Sequence, residues 1–179
     1  EKEEDGDDAV RPAVGEGTSA AAAAAALADL MLGPFPDAND FASFSAVLDD
    51  SFHFLDRVKL SMHHPSKKDY FVALRDAVMI EDEEDMKKVV AALKKVGLSD
   101  EQIKQRKKYN FKWFSMRVKR YVPEPKILYK RVRAVYAAFG DRKDSTKADS
   151  KPLFTKTAWK KARKNLDNIK KGYVSDPPD

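Results

Sequence analysis

The stretch PEPKILYKRVRAVYAAFG, residues 123–140, carries the clearest structural instruction in the chain. Proline fixes φ and lacks an N–H, which suits the first turn of a helix, where that N–H would have no partner anyway. Leu128, Val132, Val135, Tyr136 and Phe139 then recur every three or four residues, forming one apolar face. Gly140 ends the run. A helix with such a stripe must bury it against other elements.

Working outward, most of the chain has the same period. Ser66 is placed to cap a helix with Tyr70, Phe71, Leu74 and Val78 on one stripe. EDEEDMKKVVAALKKVG, residues 81–97, has acids in its first turn, where they complement the helix dipole, and Gly97 after the last turn. Met86, Val89, Val90, Leu93 and Val96 form its stripe. Ser99 and Gln102 have the spacing of a capping box. YNFKWFSMRVKRYV, residues 109–122, reads as a helix that turns Phe111, Phe114, Val118 and Trp113 inward and stops at Pro123. DRKDSTKADSKP, residues 141–152, is a polar loop. A last helix follows, with Trp159, Ala162, Leu166 and Ile169 inside and Gly172 beyond its end. There is no internal repeat and almost no strand signal. The expectation is an all-α bundle of about six short helices over residues 37–179.

Two segments are less regular. Residues 1–36 are acidic, then Ala-rich from Ala20 to Ala26, and close on Gly-Pro-Phe-Pro at 33–36. They read as a disordered arm with at most a fraying helix. Asn39 or Asp40 is placed to cap a segment bearing Phe41, Phe44, Val47 and Leu48. In DDSFHFLDRVKL, residues 49–60, either Phe52, Leu55 and Leu60 share a face, or Phe54, Leu55 and Val58 line a buried strand or helix.

Composition narrows the function. With no cysteine among 179 residues, disulfides and thiolate metal sites are excluded. No apolar run approaches the roughly 20 residues of a membrane span, so no membrane partner is expected. The start, EKEEDGDD, is acidic where a secretory signal is basic. The chain opens on Glu1 rather than Met, and it reads as a piece of a longer polypeptide.

Charge is segregated. Residues 1–50 hold two basic against twelve acidic side chains, and residues 51–179 hold 32 against 17. A basic domain behind an acidic arm attracts polyanions, of which nucleic acid is the commonest. Three segments supply the expected phosphate contacts. They are Lys112, Arg117, Lys119 and Arg120; then Lys126, Lys130, Arg131 and Arg133; then Lys156, Lys160, Lys161, Arg163, Lys164, Lys170 and Lys171. Long cations on rigid helices displace the counterions of a phosphate backbone. No helix-turn-helix spacing or zinc-finger pattern points to base readout. Tyr109, Phe111, Trp113, Phe114, Tyr121, Tyr129 and Tyr136 interleave with the cations, but their helical spacing reads as core rather than as base-stacking platforms. The acidic arm could fold over the basic surface and weaken nonspecific binding.

Catalytic signals are thin. Asp50, His53 and Asp56, with Asp49, lie close enough to bind a metal or move a proton, and His53 and Asp56 are spaced i, i+3. A metal site needs three or four ligands of defined geometry, so a polar helix face is the preferred reading. His63 and His64 are an adjacent pair in a turn beside Pro65, a spacing that rarely puts both rings on one metal, and the acids at 81–85 suit a helix first turn without any ligand. There is no phosphate-binding glycine loop and no nucleophile–base set. No metal and no cofactor is expected.

Four runs carry a family resemblance: DDSFHFLDRVKLSMHH (49–64), YFVALRDAVMIEDEEDMKKVV (70–90), KRYVPEPKILYKRVRAVYAAFG (119–140) and KPLFTKTAWKKARKNLDNIKKGYVSDPP (151–178). Together they resemble a segment of transposon-derived proteins abundant in basidiomycete fungi. Those proteins combine a DDE-type transposase-like nuclease region, often with a 3′–5′ exonuclease-like domain, and continue past a Val-Ser-Asp-Pro-Pro-Gly motif. Asp50, Phe52 and His53 are similar to the Asp-x-Phe-His that follows a catalytic aspartate in several DDE transposases. Asp179 stands where the pattern has glycine. The resemblance implies a helical accessory piece of a nuclease-like protein, partnered by the rest of its parent polypeptide, without cleavage activity of its own. On this reading the module binds DNA or RNA nonspecifically and is nuclear. The other readings are a scaffold domain for an acidic protein and a fragment of a metal-dependent nuclease.

Overall fold

The helix expected over residues 125–139 forms with those bounds as Pro125–Phe139 (α7), with Pro125 in its first turn. The structure is a computed structural model that describes residues 20–42, 51–145 and 151–175. The other helices, in chain order, are Ala20–Leu32 (α1), Ser51–Asp56 (α2), Lys67–Val78 (α3), Glu83–Lys95 (α4), Asp100–Tyr109 (α5), Phe111–Ser115 (α6) and Lys156–Lys170 (α8). The all-α expectation holds, with eight helices among the described residues where about six were expected. One two-residue antiparallel ladder joins Ile80–Glu81 (β1) to Arg120–Tyr121 (β2).

α7 packs against α1, α3 and α8. Leu128, Val132, Tyr136 and Phe139 therefore meet Leu74 and Val78 of α3 and Ala162, Leu166 and Ile169 of α8 in one core. Fully burying an aliphatic or aromatic side chain of this size is worth about 1.5–3 kcal/mol. From α2 and the turn after it, Phe54 and Val58 join this core, which settles the two readings of that stretch in favour of the second. Phe154, just ahead of α8, sits among Tyr70, Tyr136 and Trp159 at ring-centroid distances of 5.4, 5.7 and 4.9 Å, all edge-on.

Gly140 does more than end α7. Its φ is −58°, an ordinary helical value, so backbone freedom is not the reason for glycine there. A Cβ at this position would lie 2.3 Å from the Trp159 ring. The absent side chain is what lets the indole close over the end of α7.

Helices α4, α5 and α6 build a smaller core of Leu93, Ile103 and Phe114, with Met86, Val89, Val90, Leu98 and Trp113 packed against it. The capping box of Ser99 and Gln102 forms as expected, and Asp82 caps α4 by accepting from the Asp85 N–H at 2.8 Å. Gly97, at φ +89°, closes the α4 terminus, but Val96 is exposed rather than part of the stripe.

Three expectations are corrected. The segment 109–122 is not one helix. α6 ends at Ser115, and Lys119 O accepts the Asp82 N–H at 2.8 Å as β2 begins. Pro123 disfavours a helical Val122, so the extended run is already imposed by the next residue. Ser66 occupies the N-cap of α3 without a side-chain capping bond. The packed body also starts before residue 37. α1 docks through the buried Leu32, with Leu27 and Met31 against the core, so the apolar payload comes from the residues after the alanine tract. Residues 1–19 lie outside the described part, as do Phe44, Val47 and Leu48; Ala38–Asp40, where the cap was expected, is a 3-10 turn.

Two stability outcomes follow from the core. Gly140→Ala should lower the urea midpoint by an amount equal to about 1–3 kcal/mol of overpacking, partly relieved by adding Trp159→Phe. An unchanged midpoint would remove the close-approach argument. Tyr136 OH accepts from Asn165 Nδ2 at 3.1 Å, whereas the buried Tyr70 OH has no partner among the described residues. Tyr136→Phe should therefore cost about 1–3 kcal/mol by stranding Asn165, and Tyr70→Phe should be neutral or stabilising in the same titration.

Candidate nucleic-acid interface

α8 is positioned by its ends and its buried side. Thr155 caps it, accepting from the Ala158 N–H at 3.2 Å. Ala158, Trp159, Ala162, Asn165, Leu166 and Ile169 face the core. The helical period then forces Lys160, Lys161, Arg163 and Lys164 outward, and all four are exposed, as is Lys156. None of the five forms an ion pair among the described residues. Lys156–Lys160 and Lys160–Lys164 are i, i+4 like-charge pairs, which oppose helix formation by a few tenths of a kcal/mol each.

This face opens onto a cleft of about 590 Å³ shared with α2 and the turn after it. Lys161, Lys164, Asn165 and Asn168 line one wall; His53, Asp56, Arg57 and Lys59 line the other. Asp56 is the single carboxylate in this lining. Lys59 donates to it, and that hydrogen bond and charge hold its carboxyl below the usual carboxylate range. Asp56 thus stays ionised and offsets Lys59, leaving the cleft net positive. Asn165 is anchored from beneath by Tyr136.

The remaining expected contacts are dispersed. Lys126 and Lys130 are exposed on α7, Lys112 on α6, and Lys119 just before β2. Arg117 lies over the Trp113 ring at 4.1 Å and donates to Trp113 O. Arg131 is exposed but spends its donors on the last carbonyls of α3, Asp76 O at 2.7 Å and Ala77 O at 3.0 Å. Arg120 is half-buried and paired with Glu81 at 3.0 Å. Lys170 is half-buried, 3.9 Å from Asp40, and Lys171 is exposed beside Tyr173.

Arg133 is the correction in this set. It is 7% exposed, and its guanidinium reaches Asp29 of α1 at 2.5 Å and Gly33 O at 2.7 Å. It pins α1 to α7 and cannot face a phosphate. Sequence reasoning in turn missed Arg57, Lys59, Asn165 and Asn168 in the cleft. Arg57 and Lys59 sit in the stretch first read for carboxylate and histidine chemistry.

For that chemistry, His53 and Asp56 do share α2, both exposed, while Asp50 lies outside the described residues. No group of three or more His, Cys, Asp or Glu among the described residues could hold a metal ion. No described helix is long and apolar enough to cross a membrane. Comparison with protein-family models, with curated proteins and with solved structures finds no match.

Arg133→Gln should destabilise the chain by about 1–3 kcal/mol, because it removes the guanidinium's hydrogen bonds to Asp29 and to the Gly33 carbonyl. Limited proteolysis should then release α1 first. An unaltered melting temperature would show that the pair does not hold α1 in place.

Proposed function

We propose that the outer face of α8, together with the α2 wall of its cleft, binds the phosphate backbone of DNA or RNA without reading base sequence. One observation carries this: five cations, Lys156, Lys160, Lys161, Arg163 and Lys164, project from one rigid helix with no ion pairs among the described residues. Their mutual repulsion costs the helix stability, and a polyanion relieves it. A surface kept merely hydrated gains nothing from concentrating one sign of charge beside a cleft that also holds Arg57 and Lys59. In this reading the module belongs to a transposase-like protein, as the resemblance implies, and works in the nucleus. The Lys/Arg cluster over residues 160–171 is the sequence support for that location.

The test is fluorescence anisotropy of the chain with labelled single-stranded DNA, double-stranded DNA and RNA across a salt series. Log affinity should fall linearly with log salt, with a slope near −0.9 per neutralised phosphate on duplex DNA. Lys160→Gln, Lys161→Gln and Lys164→Gln should each flatten the slope by about one and weaken all sequences alike. A salt-independent response would overturn the reading.

A further inference from the structure

A second basic feature lies away from α8. Between α3 and the α4–α6 unit runs an open trough, in two stretches of about 850 and 800 Å³ that share Val72, Arg75, Met79, Phe111 and Arg120. The larger stretch is floored by apolar side chains, including Leu55, Met62 and Phe71. Two of these groups are unusually open: Met62 is 78% exposed and Val72 42%. The smaller stretch is rimmed by Lys104, Lys107, Lys108 and Arg131, and the larger by Lys67 and Lys68. Its two carboxylates are already engaged, Asp76 by Arg75 at 2.7 Å and Glu81 by both Lys107 and Arg120. The trough therefore combines an apolar floor with a surplus of cations.

Two polar atoms in it are buried without a partner among the described residues: Arg120 Nε and His64 Nε2. His64 Nδ1 accepts the Ser66 N–H at 3.2 Å, so in the neutral ring Nε2 carries the proton. Both atoms are donors awaiting an acceptor, and buried donors without acceptors are costly. The Phe111 ring is covered by the guanidiniums of Arg75 and Arg120, at 4.0 and 4.4 Å from its centroid. Cations, rather than a base, occupy the ring surface that single-stranded nucleic acid would use for stacking. The adaptable thioethers of Met62 and Met79 suit apolar peptide side chains instead.

We propose that this trough binds an acidic amphipathic segment of a partner protein. Its apolar side chains would lie on the floor, its carboxylates against the lysine rims and guanidiniums, and its acceptors toward His64 Nε2 and Arg120 Nε. The proposal is independent of nucleic-acid binding by α8, because the trough and the α8–α2 cleft share no lining residue.

The experiment titrates the chain into a fluorescein-labelled peptide of alternating glutamate and leucine or phenylalanine. Three comparisons accompany it: the same peptide with serine at the apolar positions, a single-stranded oligothymidylate, and the variants Val72→Asp, Lys108→Glu and Lys161→Glu, each checked for an unchanged circular dichroism melt. All three substituted positions are exposed. The amphipathic peptide should bind, and Val72→Asp and Lys108→Glu should each weaken it on the order of tenfold. Lys161→Glu should leave it unchanged, and the serine peptide should bind at least about tenfold more weakly. Oligothymidylate affinity should be indifferent to Val72→Asp. Equal binding of both peptides would reduce the trough to charge alone and overturn the proposal. So would peptide loss on Lys161→Glu, or oligothymidylate loss on Val72→Asp, the latter assigning the trough to nucleic acid.

Discussion

Burial of α7 on three sides is the constraint from which the rest of the body follows. On the sides that α1, α3 and α8 cover, α7 can keep only those polar groups its neighbours satisfy. Tyr136 is kept by Asn165 of α8, and Arg133 by Asp29 of α1 together with the Gly33 carbonyl. At the C-terminal end the packing leaves no room for a side chain, because Trp159 closes over Gly140. The order of the helices around α7 thus depends on a handful of specific pairings laid over a broad apolar surface.

That arrangement separates what holds the protein together from what it presents. α8 is fixed by its inward stripe and its Thr155 cap, and its outward cations contribute nothing to the packing. The arginines around the α4–α6 unit are used differently. Arg75 and Arg120 rest on Phe111, Arg106 and Arg117 on Trp113, and Arg120 is also tied to Glu81. Guanidiniums stacked on rings are held in defined orientations, which suits recognition of shaped anions, whereas mobile lysines suit a diffuse charge.

Where local rules decided the structure, the sequence was readable. α3, α4, α7 and α8 declared themselves through stripes and terminal residues, and the solvent-facing cations of α8 followed from the same period. Where distant segments decided it, the reading failed. Nothing near Arg133 announces that its partner lies more than a hundred positions earlier. The alanine tract masked the docking value of Leu27, Met31 and Leu32 beside it. Phe114 and Val118 are spaced as a helix would space them and both are buried, yet β1 claims the backbone two residues later. Phe154 lies between the polar loop and the last helical stripe and belongs to no periodic run, yet it is a central aromatic. The cleft was half legible: its α8 wall follows from periodicity, while Arg57 and Lys59 reach it only through the tertiary placement of α2.

The short ladder between β1 and β2 has a geometric consequence. Ile80 faces Tyr121 and Glu81 faces Arg120, so the chain leaves the main bundle and returns to it at adjacent points. Directly opposed residues of an antiparallel pair lie only about 5 Å apart at their Cα atoms. Residues 82–119, with their own apolar centre, therefore span no distance in the parent architecture. They hang from it as an inserted loop grown large. A tight turn joining the two strands would close the bundle behind them, and sequence change within this appendage meets the rest of the body at its stem and where Phe111 lies under Arg75 of α3.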